Sequence, residues 1–272
     1  MTDNVNSECL FSADWWQEAS GRGVRSKFGM RYLVMPQLTP YITPVSDPDI
    51  MRLAYYYEQM PPGNRLPLFV QREGFIVKER VTYRITNLHD KTEENLTERF
   101  SGNKKRQLRK ASALIADYSL SPITFYDLHA VWLKERGRKI FYDKAFFIGL
   151  AQAAIQHDAG CLIALKDEKE EVYAAAFIVW DAETCYYLVP SFNPRHADSG
   201  AGAALVLESL RKAKERGCNV FDFEGGDQSE SVALHYSQFG SEQASYYGIE
   251  RYYKPIVRFL FTIRKAVCRP RR

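Results

Sequence analysis

The pattern of apolar and polar positions is clearest between residues 161 and 192, where it predicts three β-strands. The segments CLIALK, VYAAAFIVW and TCYYLVPSF are rich in β-branched and aromatic residues, as strands are. The short polar stretches DEKEE and DAE separate them, and connections this short join neighbouring strands that run in opposite directions. The pattern therefore predicts an antiparallel meander.

An amphipathic helix follows the meander, from Ser199 to Gly217. Its apolar residues recur every three or four positions, which places them on one face of a helix: Ala203, Val206, Leu207, Leu210 and Ala213. We expect Ser199 to cap this helix and Gly217 to end it. On its exposed face we expect Glu208 to pair with Lys212.

The stretch NVFDFEGG, Asn219 to Gly226, predicts the next strand. Because a whole helix separates it from the meander, this strand should lie parallel to the segment YYLVP. Asp222 and Glu224 are two residues apart, so on a regular strand they share one face. Acidic side chains in a buried strand need a partner or a function, and these two are therefore candidate site residues.

The remaining patterns predict helices before the meander and strands nearer the start of the chain. ITFYDLHAVWLKERGRK and YDKAFFIGLAQAAIQHDAG predict two helices, the second ended by Gly160. Thr92 is a candidate N-cap for an earlier helix that we expect to continue to about Ala116. Pro67 to Thr86 predicts two or three short strands. A short helix and a last strand are expected after NVFDFEGG.

Composition indicates a globular protein. The chain has 272 residues, of which 46% are hydrophobic, and no apolar run approaches the roughly 20 residues that a spanning helix needs. Its start, MTDNVNSECLF, lacks the basic and apolar segments of a signal peptide, so we expect a cytoplasmic protein. The five cysteines are odd in number and show no CxxC spacing, so we expect no metal site and no redox role.

The order of elements resembles the GNAT acyltransferases and, among them, the FemAB-like, BioF2-like transferases. Three motifs carry the resemblance: FDFEGG, then ALHYSQFG, and FSGNKKRQLRKA upstream. It implies a tandem GNAT-like α/β (α+β) fold, with a mixed, mostly antiparallel sheet flanked by helices. We expect a shortened GNAT-like unit over residues 1–116 and an acyltransferase unit over residues 117–272. The strand pair that the family pattern would place between Gly21 and Phe28 is not evident in this sequence.

The resemblance also implies a site for an acyl donor. GNAT proteins hold the pyrophosphate of acyl-CoA on backbone amides at the start of the long helix, where unpaired N–H groups favour an anion. A notch between Val189–Phe192 and the strand Val220–Glu224 would receive the thioester. The expected donor-binding residues are Val189, Ser191, Arg195, Gly200, Ala201 and Gly202. Arg195 stands in for an Arg or Gln that the family often has where this chain has Ala197, and the glycines alternatively serve only close helix packing.

The expected catalytic residues are Glu224, Asp222 and Tyr236. One of the two acids would orient or deprotonate an incoming amine, and their proximity should raise one pKa. Tyr236, four residues before Gly240, matches the position of the GNAT tyrosine that protonates the leaving group. Each has a structural alternative: the acids hold the turn at Gly225, and Tyr236 is a core tyrosine. His235 is expected at the surface.

The resemblance predicts an N-acyltransferase that moves an acyl or aminoacyl group from acyl-CoA, or a similar thioester, to an amine acceptor by direct attack. The acceptor would be an amine-bearing small molecule or a cell-wall precursor. One alternative is an aminoacyl-tRNA-dependent peptidoglycan-precursor aminoacyltransferase. Another is a catalytically inactive GNAT-like binding protein, favoured by the shortened first unit and by Ala197.

Basic residues cluster in two segments, and each segment has two interpretations. NKKRQLRKA, Asn103 to Ala111, is either a solvated helix face or a binding surface for the phosphates of CoA or of a tRNA acceptor end. Residues 251–272 contain eight Lys or Arg and no Asp or Glu. They form either a helix that covers the domain or a contact with an anionic membrane surface, which would place the protein at the inner face of the membrane.

Overall fold

The computed structural model describes residues 9–21, 23–27, 29–44, 53–71, 74–225 and 230–253. In this part of the chain there are seven α-helices and ten β-strands. The helices are α1 (Asp14–Ser20), α2 (Glu93–Glu98), α3 (Gly102–Lys110), α4 (Pro122–Glu135), α5 (Lys144–Gln156), α6 (Ala201–Glu215) and α7 (Glu230–Ser237). The strands are β1 (Val24–Lys27), β2 (Met30–Leu33), β3 (Tyr55–Gln59), β4 (Phe75–Ile85), β5 (Ile115–Asp117), β6 (Gly160–Lys166), β7 (Val172–Trp180), β8 (Thr184–Phe192), β9 (Val220–Asp222) and β10 (Glu242–Tyr252).

The chain divides into two compact units. The larger unit combines residues up to Ala19 with Val81–Ala244, and the smaller unit combines Ser20–Arg80 with residues from Ser245 onward. Strands β4 and β10 contribute residues to both units. The predicted division at residue 116 concerned the two GNAT-like repeats and stays a prediction.

The larger unit contains the predicted meander and the parallel strand after it. Its strands lie in the order β4-β9-β8-β7-β6-β5. Strands β6, β7 and β8 are antiparallel neighbours, and β9 lies parallel to β8, so both predictions are confirmed. The predicted apolar face of α6 is buried in the core with the inward-facing residues of this sheet. The mixed α/β fold class is therefore confirmed.

The smaller unit begins with a hairpin that the sequence analysis did not expect. Strand β1 pairs antiparallel with β2, joined by a turn in which Gly29 has φ +69°. Strand β2 then pairs parallel with β3, and β3 pairs antiparallel with β10. Of this pair only β1 lies between Gly21 and Phe28, where the sequence analysis found no strand pair, and β2 begins beyond it at Met30. A four-residue strand with few apolar residues gives little periodicity to detect.

The predicted helix from Thr92 to Ala116 is two helices. Thr92 caps α2 as expected, its hydroxyl accepting a hydrogen bond from the Asn95 amide. The helix ends at Glu98, and Ser101 caps a new helix, α3, by accepting from the Lys104 amide. A serine followed by a glycine supplies a new helix start within a polar run, where periodicity alone predicts continuation.

Three further predictions of detail were wrong. Pro67 to Thr86 forms one long strand, β4, after a short 3-10 helix, instead of several short strands. Helix α5 ends at Gln156, and Gly160 begins β6, where an added Cβ would lie 3.0 Å from Val179. Glu208 accepts hydrogen bonds from Arg211 and Tyr118 instead of pairing with Lys212.

Helix α6 begins at a glycine in a left-handed conformation. Gly200 is its N-cap residue with φ +82°, and the expected cap Ser199 uses its hydroxyl to accept from the Ala201 amide at 3.2 Å. An ideal Cβ on Gly200 would lie 2.0 Å from the Gln107 carbonyl oxygen on α3. Only glycine combines this φ with so close a backbone approach. Gly217, with φ +76°, follows the helix end as predicted.

No helix in the described ranges is long and apolar enough to cross a bilayer. The C-terminal basic segment lies outside the described residues from residue 254 onward. Its predicted membrane contact and the cytoplasmic location stay predictions.

Gly200→Ala should destabilise the protein by about 2–4 kcal/mol, because the new Cβ meets both an unfavourable φ and a backbone oxygen. Gly149→Ala is the matched control, since it lies in the exposed interior of α5 with nothing within 4 Å of an added Cβ. The control should gain about 0.5–1 kcal/mol from helix propensity. Urea unfolding of both variants measures the difference, and equal stabilities would contradict the packing of α3 against α6.

Candidate active site

Strands β8 and β9 part after a short shared ladder. Their parallel pairing runs from Thr184↔Val220 to Tyr186↔Asp222, whereas β8 continues to Phe192. Beyond Tyr186 the backbone of β8 therefore pairs with no described residue on the β9 side. This is the notch that the sequence analysis expected at the carboxyl ends of these strands.

Asp222 is fully buried at the end of the shared ladder and makes three hydrogen bonds. Its carboxylate accepts from the Thr82 hydroxyl at 2.6 Å and from the Arg84 side chain at 2.7 Å. It also accepts from the Glu224 amide at 2.8 Å. These contacts match the structural alternative for Asp222, with the amide of Glu224 in place of the expected one at Gly225, and they do not favour a catalytic role.

Glu224 combines three unusual properties in one residue. Its backbone is left-handed, with φ +54°, a conformation that non-glycine residues rarely adopt. Its Oε1 atom is buried and has no hydrogen-bond partner among the residues that the structure describes. Burial, and then the neighbouring charge of Asp222, raise the pKa of Glu224 well above its ordinary value. The direction of this shift is the expected one, but burial is its largest cause, whereas the sequence analysis attributed it to the proximity of the two acids. Glu224 lies beyond β9, so the prediction that both acids share a strand face was wrong.

Aromatic side chains pack around Phe223, the residue next to this acid. Phe223 is buried and stacks on Tyr236 with ring centroids 4.6 Å apart, so the structure brings Tyr236 to the notch. Burial, and then Glu224 and Asp222, raise the pKa of Tyr236 to about 12. A tyrosine with so high a pKa holds its proton at neutral pH, as a proton donor must.

Tyr187 is a site residue that the sequence analysis missed. It is the first residue of β8 beyond the ladder with β9, and its ring lies 6.1 Å from that of Phe223. Its hydroxyl is buried without a hydrogen-bond partner. The available signal was the tyrosine pair in YYLVP, but only the length of the ladder shows which of the two stands at the notch.

A cavity of about 330 Å³ lies at the start of α6. Its lining includes three of the six predicted donor-binding residues: Gly200, Ala201 and Gly202. The other three are not in it. Ser191 is buried and hydrogen-bonded to His129 at 2.9 Å, Arg195 is 73% exposed and paired with Glu135, and Val189 is buried.

The two glycines at this helix start have different surroundings. Gly200 packs against the Gln107 carbonyl oxygen, which matches the close-packing alternative. Gly202 faces the cavity beside Phe192, whose ring would lie 3.4 Å from an added Cβ. The donor site expected at this helix start therefore has its accessible backbone at Gly202.

The cavity is lined by basic side chains and by no acid. Lys104, Arg136, His196 and His235 all border it. Lys104 is 3% exposed, so the predicted solvated face is wrong for this lysine, although Arg106, Arg109 and Lys110 on the same helix are exposed. The cavity thus has the charge of an anion site.

Lys104 and His235 meet at the cavity wall. The Lys104 Nζ atom lies 3.3 Å from His235 Nδ1 and 4.6 Å from the centre of the Phe239 ring. Burial lowers the pKa of Lys104. Partial burial, and then the charge of Lys104, lower the pKa of His235 to about 4, so the imidazole is neutral at pH 7. His235 is exposed as predicted, yet its ring borders the cavity.

Within the described ranges, no three His, Cys, Asp or Glu side chains come together as a metal site would require. Four of the cysteines, at positions 9, 161, 185 and 218, are free thiols. Burial raises the pKa of each of these four, which disfavours the reactive thiolate.

The fold is shared with solved structures of low sequence identity. FemX superposes with a TM-score of 0.67 at 13% identity, over 89% of this chain and 92% of that chain. A conserved protein of unknown function from Bacteroides thetaiotaomicron gives 0.57 at 15% identity, over 84% and 81%. L-PGS from Bacillus licheniformis gives 0.51 at 16% identity, over 79% and 73%. The likeness to FemX confirms the predicted resemblance to FemAB-like proteins at the level of fold.

The sequence itself matches the family described as "Acetyltransferase (GNAT) domain" over residues 99–236. No curated protein matches it significantly. The matched range, Arg99 to Tyr236, is just over half of the chain. It includes most of the cavity lining at α6, the parting of β8 and β9, and Glu224. The chain belongs to the GNAT acetyltransferase family.

Proposed function

We propose that the protein transfers an acyl group from an anionic donor to an amine, with Glu224 as the general base. The observation that carries this proposal is the Glu224 carboxyl: buried, unpaired at Oε1 and held on a strained backbone where two parallel strands part. Strain and an unsatisfied buried acid both reduce stability, and they concentrate at functional sites.

The proposed chemistry uses the acid and the hydroxyl groups beside the notch. The amine nitrogen attacks the carbonyl carbon of the acyl donor, and the Glu224 carboxylate takes the proton that the nitrogen loses. The tetrahedral intermediate collapses as the bond to the leaving group breaks. We assign to Tyr236 the protonation of that leaving group, since its pKa is raised to about 12 and its hydroxyl keeps its proton at neutral pH. The Tyr187 hydroxyl supplies a further donor beside the same gap.

Acyl-CoA is the donor class that family membership supports, and the residues at α6 fit its charge. Among the described residues, Lys104 and Arg136 border the cavity and no acid does, and backbone amides at a helix start favour phosphate. The cavity is also not filled by side chains, which argues against the binding-only alternative.

Aminoacyl-tRNA remains the second donor candidate, because the fold is shared with FemX over most of both chains. Phosphates of an RNA acceptor end would meet the same basic cavity. The acceptor is proposed as an amine, either on a small molecule or on a cell-wall precursor.

Glu224→Gln should lower turnover by roughly 10²–10⁴-fold while donor affinity is unchanged, because the amide keeps the shape and cannot take a proton. Transfer from acetyl-CoA to a panel of primary amines, followed by mass spectrometry, measures it. Full turnover by a folded Glu224→Gln variant would contradict the general-base role.

The stabilities of the acid variants should change in opposite directions. In the unfolded chain the pKa of a glutamate is about 4.3, whereas in the folded protein the pKa of Glu224 is well above that value. The stability that protonated Glu224 contributes is complete below the unfolded pKa and is lost as pH rises through the folded pKa. Glu224→Gln should therefore become more stable than the natural protein as pH rises from about 4 to 8.

Asp222→Asn is the matched comparison and should lose about 3–5 kcal/mol at pH 7, because it breaks the buried ion pair that Asp222 makes with Arg84. Urea unfolding at several pH values checks both variants. A destabilised Glu224→Gln variant at pH 8 would contradict the strained and unsatisfied state of Glu224.

A further inference from the structure

Lys104 is a buried cation without an acidic partner. Its side chain forms no ion pair with the part of the chain that the structure describes, and its nearest polar neighbour is the neutral His235 ring at 3.3 Å. Removing an ammonium group from water without a counter-charge is unfavourable. Burial therefore lowers the pKa of Lys104, and no carboxylate opposes that effect.

The position of Lys104 beside a cavity offers an explanation for this unfavourable burial. Its side chain borders the cavity at the start of α6, together with Asn103 and Gln107 of the same helix. The ammonium group lies over the ring of Phe239, and His235 Nδ1 can accept a hydrogen bond from Nζ. The head group is thus held in place before any ligand arrives, so little side-chain entropy is lost on binding.

The helix start offers less to an anion than the family resemblance implies. The Gln107 carbonyl oxygen occupies the space beside Gly200, 2.0 Å from an ideal Cβ, and the Ser199 hydroxyl already accepts from the Ala201 amide. A carbonyl oxygen at this place repels a phosphate oxygen. A phosphate in the cavity therefore needs another source of positive charge.

We infer that Lys104 binds a phosphate group of the acyl donor, with His235 as the residue that positions its ammonium group. This inference rests on the proposed function and deepens it: the donor is a phosphate-bearing molecule recognised through α3 and α7 as well as through α6. Other basic groups on the lining are Arg136 and His196, and His196 is paired with Glu171 at 2.8 Å. Of these described basic residues Lys104 is the buried one, whereas Arg136 is exposed and His196 is partly exposed.

The test is the substitution Lys104→Met, which keeps the stem and removes the charge. Lys110→Met is the matched control, because it removes the same charge from an exposed position on the same helix. Calorimetry measures binding of CoA and of a short RNA hairpin ending in CCA, the two phosphate sources. For whichever ligand the natural protein binds, we expect Lys104→Met to lower the affinity by about 10–100-fold, as loss of a charged hydrogen bond does. Lys110→Met should change the affinity less than threefold.

Thermal unfolding supplies a readout that a structural role would not give. Without ligand, Lys104→Met should melt at a higher temperature than the natural protein, because a buried unpaired charge has been removed. With saturating ligand this order should reverse or vanish. Lys104→Gln is the second variant, should the methionine fail to fold.

The outcomes separate this inference from the proposed function. Equal ligand affinity in the natural protein, Lys104→Met and Lys104→Gln overturns the inference and leaves acyl transfer standing. An equal loss in Lys104→Met and Lys110→Met also overturns it, because the effect would then be one of net charge. A natural protein that binds neither phosphate source overturns both the inference and the donor site.

Discussion

The candidate site depends on the buried carboxylate of Asp222. It accepts hydrogen bonds from Thr82 and Arg84 on β4 and from the amide of Glu224. The first two contacts fix β9 to β4 on one side, at the residue where the ladder with β8 ends on the other. The third directs the chain out of the strand. Without this acid, the buried ion pair with Arg84 and the hydrogen bond from Thr82 that anchor the end of β9 would both be lost.

The hydrogen bond from the Glu224 amide to Asp222 leaves the Glu224 carboxyl in a different state from that of Asp222. Its amide is committed to Asp222 and its backbone is left-handed, while its carboxyl oxygen has no donor to satisfy it. Two acids two residues apart therefore have different roles: Asp222 is saturated with hydrogen bonds and Glu224 is not. That contrast is how proteins separate a structural acid from a reactive one. Glu224 and Lys104 lie in the same compact unit.

The sequence predicted those parts of the fold that depend on local pattern. The meander, the stripe on α6 and the parallel strand β9 all follow from apolar spacing and connection length, and the structure has each of them. Errors arose where a short polar cue outweighed periodicity, as at Ser101 between α2 and α3.

The roles of individual residues were harder to predict because their partners are distant in sequence. Asp222 is anchored by residues about 140 positions earlier, and no local pattern connects them. Lys104 lies in a run of basic residues of which several are exposed, so its burial depends on α6 and α7 packing beside it. Tyr187 and Tyr186 are equivalent in the sequence, and only the end of the ladder distinguishes them.

The most direct test of this account is the titration of Glu224 itself. Carbon NMR of the glutamate side-chain carboxyls, with Glu224→Gln to assign the resonance, measures the pKa of that one group in the folded protein. The account predicts a pKa well above the ordinary value of about 4.3 and a lower one in Asp222→Asn, provided that variant is folded. A Glu224 carboxyl that titrates at the ordinary value would contradict it.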